Sequence, residues 1–328
     1  MRNNHYFISH FPSFSTSYNE DCSGPDYEEC KFTTPHLIPS SSSTSFTSCT
    51  FASLTANGNG GAIALENGNS GSLDILYCTF TECSSNVGVN INSLGGGAIC
   101  INSPSQFYAY SSTFLECTTP SFGGGVFAQR DCEYSTVIQC NFLSCRGHHG
   151  GGLNVFFGPS SFTSSCRFIC CTADYVGGGM YHDCMYEDRY LALTNSLFKG
   201  NTANCNGDRG GGGFEDYHQT PYKSHYYFSF FTGNQALSEC GHDISIIVSG
   251  FPAENITRCF TTTSRKSFHY AGTYPVDWLP QGTLSFIIEA AGDQSASTIA
   301  TFESSLAFLI LHVIISHLRV LALSLLIQ

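Results

Sequence analysis

Two groups of ionisable side chains stand out in the second half of the 328-residue sequence. Asp183, Glu187, Asp188 and Arg189 form the first, and Asp208, Arg209, Glu215, Asp216 and His218 follow as the second. Grouped carboxylates could protonate a leaving oxygen and activate water, and a neighbouring Lys or Arg could serve where a lyase abstracts a proton. These charges do not fall at matched strand positions, and no basic residue recurs among them. They are therefore read as solvated loop charges, and the loops from Asp183 to Arg189 and from Asn204 to Gly213 as places where a partner would bind. His148 and His149 would shape a metal site only if both reached one ion. In a strand, adjacent side chains point to opposite faces, so no metal is expected there. The glycine clusters are not followed by Lys-Ser or Lys-Thr and open no helix, which removes the phosphate-cradle reading. Zinc is disfavoured because the cysteines recur with every repeat instead of gathering in one set. No catalytic residue, metal or cofactor is expected.

The pattern that would position these loops is a repeat. Its phrase is Cys-x-Phe or Ser-x-Phe, centred on Phe51, Phe80, Phe114, Phe142, Phe168, Phe198 and Phe231. The Phe spacings are 29, 34, 28, 26, 30 and 33 residues, so each copy is one supersecondary unit with the variation confined to loops. Three residues after the Phe stand Cys83, Cys117, Cys145 and Cys171, then Asn201 and Asn234. Between the phrases lie glycine clusters that end in an apolar residue, around Gly61, Gly97, Gly125, Gly152, Gly179 and Gly213. Alternation such as Leu73-Asp74-Ile75-Leu76 marks short strands, and nothing between repeats has the three-and-four apolar spacing of a helix. An all-β, right-handed parallel β-helix of about seven coils over 45–250 follows, with one strand starting at the glycine pair, one ending near Cys-x-Phe and a turn at Phe-x-x-Cys. The Phe residues are expected to form an internal ladder, the Cys or Asn positions a second ladder at a bend, and the glycines the turns or close approaches.

Composition fits such a stack. Charged residues make up only 12 % of the chain, and like charges repeated every ~4.8 Å would repel. A net charge of −12 with four lysines argues against nucleic acid as a partner. Seventeen cysteines leave two readings open, reduced packed ladders or some bridges between coils, since parallel side chains hold Cβ atoms slightly too far apart for an unstrained disulfide.

The ends differ from the repeat. Residues 1–44 carry Cys22 and Cys30 but no apolar run of the kind a secretory signal needs, and are expected to cap the first coil. Residues 251–291, with Trp278, are expected to cap the other end, and Asn255 opens the glycosylation sequon Asn255-Ile-Thr257. A small, polar linker at 292–305 leads to a hydrophobic tail at 306–327. As a helix the tail would reach ~33 Å, enough to anchor the chain in a membrane even with Arg319. A lipid-anchor signal and a packed amphipathic helix are the other readings of this tail.

Gly61-Ala62-Ile63 and Gly97-Ala98-Ile99, alternating with Phe198-Lys-Gly-Asn201 and Phe231-Thr-Gly-Asn234, resemble the polymorphic outer-membrane protein repeat family of chlamydiae. The resemblance is closer still to the Cys-rich versions found in protozoan parasites. It implies a right-handed β-helix displayed at a membrane and adhesion to other cells. The expected role is a non-catalytic, membrane-associated surface scaffold that touches proteins or glycans through its loops. A carbohydrate-active β-helix enzyme and a tail-anchored intracellular scaffold are the alternatives.

Overall fold

The computed structural model describes residues 26–38, 43–65, 71–88, 94–102, 106–129, 134–156, 160–184, 190–205, 210–218, 223–237 and 242–248, and the short strands 255–257, 260–261 and 268–272. No helix occurs among them. The chain winds as an all-β parallel solenoid in which each strand pairs with its counterpart one coil on. One middle coil shows the plan. Tyr134–Ile138 lies on a first face, Asn141–Leu143 on a second, Arg146–His149 in a minor sheet and Leu153–Val155 on a third. The three faces hold nine strands each and the minor sheet four. The two-strand coil expected from the sequence is thus corrected: Cys-x-Phe opens a separate three-residue strand, because the chain bends on both sides of it.

The strands also extend beyond 45–250. Asp26–Glu28, Lys31–Phe32 and His36–Ile38 join the three faces ahead of that region. Asn255–Thr257, Phe260–Thr261 and Phe268–Gly272 join them after it. The linker and the hydrophobic tail lie outside the described residues, and no helix among the described residues is long and apolar enough to cross a membrane.

The Phe residues stack along the solenoid axis. Neighbouring ring centroids are 4.6 Å apart for Phe51 and Phe80, 4.9 Å for Phe80 and Phe114, and 4.8 Å for both Phe114 with Phe142 and Phe142 with Phe168. Phe198 and Phe231 continue the column, at 4.6 Å from Phe168 and 4.8 Å onward. Ring planes differ by 1° to 6°, and every one of these rings is essentially excluded from water. Burial of each side chain is worth ~1.5–3 kcal/mol, and an aromatic pair adds ~0.5–1.5 kcal/mol. An earlier rung, Phe32, stacks on Phe51 at 4.5 Å. Its phrase, Cys30-Lys31-Phe32, follows the same Cys-x-Phe rule; the short interval to Phe51 conceals it.

The corners on either side of each Phe strand are held by left-handed residues. Tyr77, Ser111, Gln139, Ser165 and Asn195 have φ between 47° and 57° and sit one residue before the Cys or Ser of the phrase. Glu82, Glu116, Ser144, Cys170, Gly200 and Gly233 do the same before the Cys or Asn that follows. A side-chain-bearing residue in this region costs roughly 1–2 kcal/mol, and the next residue offsets it by hydrogen bonding. The Cys78 thiol donates to the Leu76 carbonyl at 3.3 Å and, one coil back, to the Phe46 carbonyl at 3.2 Å. Ser112 repeats both bonds with its hydroxyl, to Tyr110 and Ile75.

At the second corner Cys145 donates to Leu143 and to Phe114 of the preceding coil. Cys83, Cys117 and Cys171 make the equivalent bonds to Phe51, Phe80 and Phe142. Asn201 and Asn234 donate to Phe168 and Phe198 at 2.9 and 3.0 Å. The apolar role expected for the cysteines is therefore incomplete, because each is also a donor to the backbone. These ladder cysteines are thiols, whereas Cys30 is disulfide-bonded. Burial pushes the thiols of Cys117 and Cys171 well up and that of Cys140 up to about 12.

The glycines divide into two kinds. Positive φ falls three residues before the apolar residue that follows each cluster, as at Gly96 (φ 76°), Gly150 (φ 63°) and Gly211 (φ 68°), and not on the glycines singled out by sequence. The glycines singled out by sequence instead allow close approach. A Cβ on Gly61 or Gly97 would meet a carbonyl of the next coil at 2.1 or 2.0 Å, and one on Gly125, Gly152, Gly179 or Gly213 would meet both the next coil's carbonyl and a Phe ring of the ladder.

Two substitutions test this packing by chemical denaturation. Phe142→Ala should lower stability by about 3–5 kcal/mol. Gly151→Ala, whose Cβ would lie 2.2 Å from the Gly178 carbonyl, should lower it by about 1–3 kcal/mol or more. Gly58→Ala, with nothing within 4 Å, is the control and should be close to neutral.

Candidate functional site

The strands that start at the glycine clusters carry side chains alternately into the solenoid and away from it. In register, the inward row of the third face reads Ile101, Ala128, Val155, His182, Asp216 and Ile246. An imidazole and a carboxylate therefore occupy two successive rungs of an otherwise apolar column. Both are completely buried. His182 Nδ1 lies 2.7 Å from Asp216 Oδ1, and the Tyr226 hydroxyl, reaching in from the first face, donates to Asp216 Oδ2. The trio has the side-chain types of an acid-base relay. Its position gives it a different job: it ties the first face to the third across the core.

A second polar line runs beside it. Asn201 accepts the Cys171 N–H and donates to Asn234 Oδ1 at 2.9 Å, and Asn234 donates to Asp243 Oδ1 at 2.7 Å. Asp243 is buried. Glu215, also buried, accepts the Gly210 N–H at 2.9 Å and so pins the glycine turn that precedes its own strand.

These positions correct the loop reading of the charge clusters. Asp183 lies in the strand Met180–Cys184, is 4 % exposed and accepts the Tyr181 hydroxyl at 3.1 Å. Glu215 and Asp216 lie in the strand Phe214–His218. Glu187, Asp188, Arg189, Asp208 and Arg209 are outside the described residues. The signal that would have found the buried set is register: His182 and Asp216 each stand two residues after the apolar residue that closes a glycine cluster, Met180 and Phe214. Asn255 falls in the strand Asn255–Thr257, paired with His225.

The paired histidines also depart from strand alternation. The register breaks between Gly147 and His149, so the two rings come to 4.8 Å of each other and both stack on Tyr175. His149 packs edge-on against Phe122 and Tyr181 as well. Burial lowers the pKa of His148, with the nearby Asp174 acting the other way. Among the described residues no group of three or more His, Cys, Asp and Glu side chains is arranged to hold a metal ion.

Fold and buried site together define a parallel β-solenoid with a hydrogen-bonded polar core in its later coils. No family model, no curated protein and no solved structure matches the chain.

Removing one member of a buried charged or hydrogen-bonded pair leaves the other uncompensated, at a cost of about 3–5 kcal/mol. Asp216→Ala should show that loss in a denaturation curve. Replacement of all three bonded groups by apolar residues, His182→Leu and Asp216→Leu with Tyr226→Phe, should recover most of it.

Proposed function

We propose that this chain is a non-catalytic scaffold, associated with a membrane through its C-terminal segment and contacting proteins or glycans on another surface through its loops. The observation that carries the reading is where the reactive side chains go. His182, Asp183, Glu215 and Asp216, which a carbohydrate-active solenoid would need to present to a substrate, are enclosed and hydrogen-bonded to groups of the solenoid itself. A general acid or base must come within hydrogen-bond reach of the atom it serves, and these four side chains are buried within the solenoid. Loops of variable length between fixed rungs supply the recognition, and the right-handed β-helix of the polymorphic outer-membrane repeat resemblance supplies the rigid carrier. Adhesion is the form of contact that the resemblance favours.

A second reading draws on the thiols. Ladders of unbridged, buried cysteine suit a reducing compartment, where the same solenoid would serve as a tail-anchored internal scaffold.

One experiment separates the two. With an epitope and protease site placed near Asp208 in the full chain, surface display predicts cleavage on intact cells. Protection until the cells are permeabilised would reject the surface reading. On the surface reading, deletion of residues 185–189 should leave the fold intact and reduce partner binding, and undiminished binding would remove that loop from the role.

A further inference from the structure

The outward side of the first face is unusual for a surface exposed to water. Its central strands, Gln106–Tyr110, Tyr134–Ile138, Ser160–Ser164 and Tyr190–Thr194, present alternate residues outward, and none of the twelve is charged. Tyr134 and Tyr190 are 44 % and 42 % exposed, and Tyr108, Tyr110, Ile138 and Phe162 are partly so. Stacking accounts for the missing charges; the bulky aromatic and aliphatic side chains left at these outward positions are what a partner face would cover.

We propose that this face packs against the same face of a second copy of the chain, related by a two-fold axis that lies in the interface and runs along the strands. Two orientations of an in-plane two-fold axis keep the strands of the two copies aligned. An axis along the solenoid would set each coil against its own copy. Tyr108 would then oppose Tyr108, Phe162 would oppose Phe162 and Asp74 would oppose Asp74, so bulk meets bulk and like charge meets like. An axis along the strands keeps strand direction and reverses the order of the coils.

The consequences follow from the register. With the axis midway between Tyr134–Ile138 and Ser160–Ser164, Tyr134 faces Ser160, Thr136 faces Phe162 and Ile138 faces Ser164. One coil further out, Tyr108 faces Ala192, Tyr110 faces Thr194 and Gln106 faces Tyr190. At five of these six positions a bulky aromatic or branched aliphatic residue meets a small one, which is how facing layers interdigitate without voids or clashes.

The size is adequate. Eight strands overlap in this arrangement, and at ~4.8 Å by up to five residues at ~3.3 Å they outline roughly 600 Å² per copy, close to the ~800 Å² that a specific interface of ordinary size buries on each partner. Sheets that pack face to face in aligned fashion lie ~10 Å apart, which side chains of this size fill. The contact is isologous and therefore closes on itself as a dimer.

The test is sedimentation of the full chain, with far-UV circular dichroism to verify folding. The wild type should be dimeric at about 10 µM, where an interface of micromolar Kd or better is largely assembled. Ala192→Tyr, which sets bulk against Tyr108, should weaken association by about tenfold or more. Adding Tyr108→Ala to that variant should restore it, because the large and small partners have then exchanged places. A monomeric wild type up to about 100 µM, or a dimer indifferent to Ala192→Tyr, would overturn the proposal. Failure of Tyr108→Ala to rescue a folded, monomeric Ala192→Tyr chain would overturn the two-fold arrangement and with it the proposal.

Discussion

Every side chain on a strand of this protein must tolerate its own structural copy about 4.8 Å above and below. That constraint accounts for most of the sequence. A flat ring tolerates it well, and the Phe column from Phe32 to Phe231 is the result. Charge tolerates it badly, which is why a solenoid surface is carried by Ser, Thr, Asn, Gln and Tyr, with charged residues at 12 % of the chain. A Cβ in the wrong place does not tolerate it at all. At Gly151 the carbonyl of the next coil already occupies the space, so the glycine clusters recur with the same period as the rings.

The corners satisfy the same constraint by a different means. A left-handed residue turns the chain, and the side chain after it closes the turn by donating a hydrogen bond to carbonyls of its own coil and of the coil before. Thiol, hydroxyl and carboxamide all meet that requirement, as Cys78, Ser112 and Asn201 show. Cysteine is thus used here as a small donor that also packs well. At Cys117, Cys140 and Cys171 burial holds the proton on, and a thiol that keeps its proton continues to donate. Where the amide replaces the thiol, it gains a bond to its own copy, from Asn201 to Asn234, that sulfur does not supply with the same directionality.

How much of this was legible in the sequence varied with the kind of signal. The Phe ladder could be read because one residue type recurs in one phrase at a period too regular for chance. The left-handed corners could not, because Glu, Ser, Tyr, Gln and Asn all occupy them. The conformation there is imposed by the hydrogen bonds of the following residue and by the stack, and leaves no consistent trace in the residue itself. The charge clusters were misplaced for a related reason. Asp183 and Asp216 were grouped with their neighbours along the chain, whereas burial depends on their distance from the glycine cluster. Counted from Met180 and Phe214, His182 and Asp216 fall in the same inward row as Val155.

The later coils differ in kind from the earlier ones. From Asn201 onward the donors of the second corner become carboxamides, and within one coil of that change His182 and Asp216 interrupt the apolar inward row. Apolar burial is non-directional, so a stack held by it alone specifies register only through the alternation of its strands. Hydrogen bonds between named atoms of successive coils specify which coil meets which. In a repeat protein each unit contacts only its neighbours, and similar units could in principle pair out of order. The polar line from Cys171 through Asn201 and Asn234 to Asp243, with His182, Asp216 and Tyr226 across the core, makes these coils unlike one another. A coil paired one place out would set the Asp216 carboxylate against Val155 in place of His182, and the cost of that mismatch holds the order of the stack.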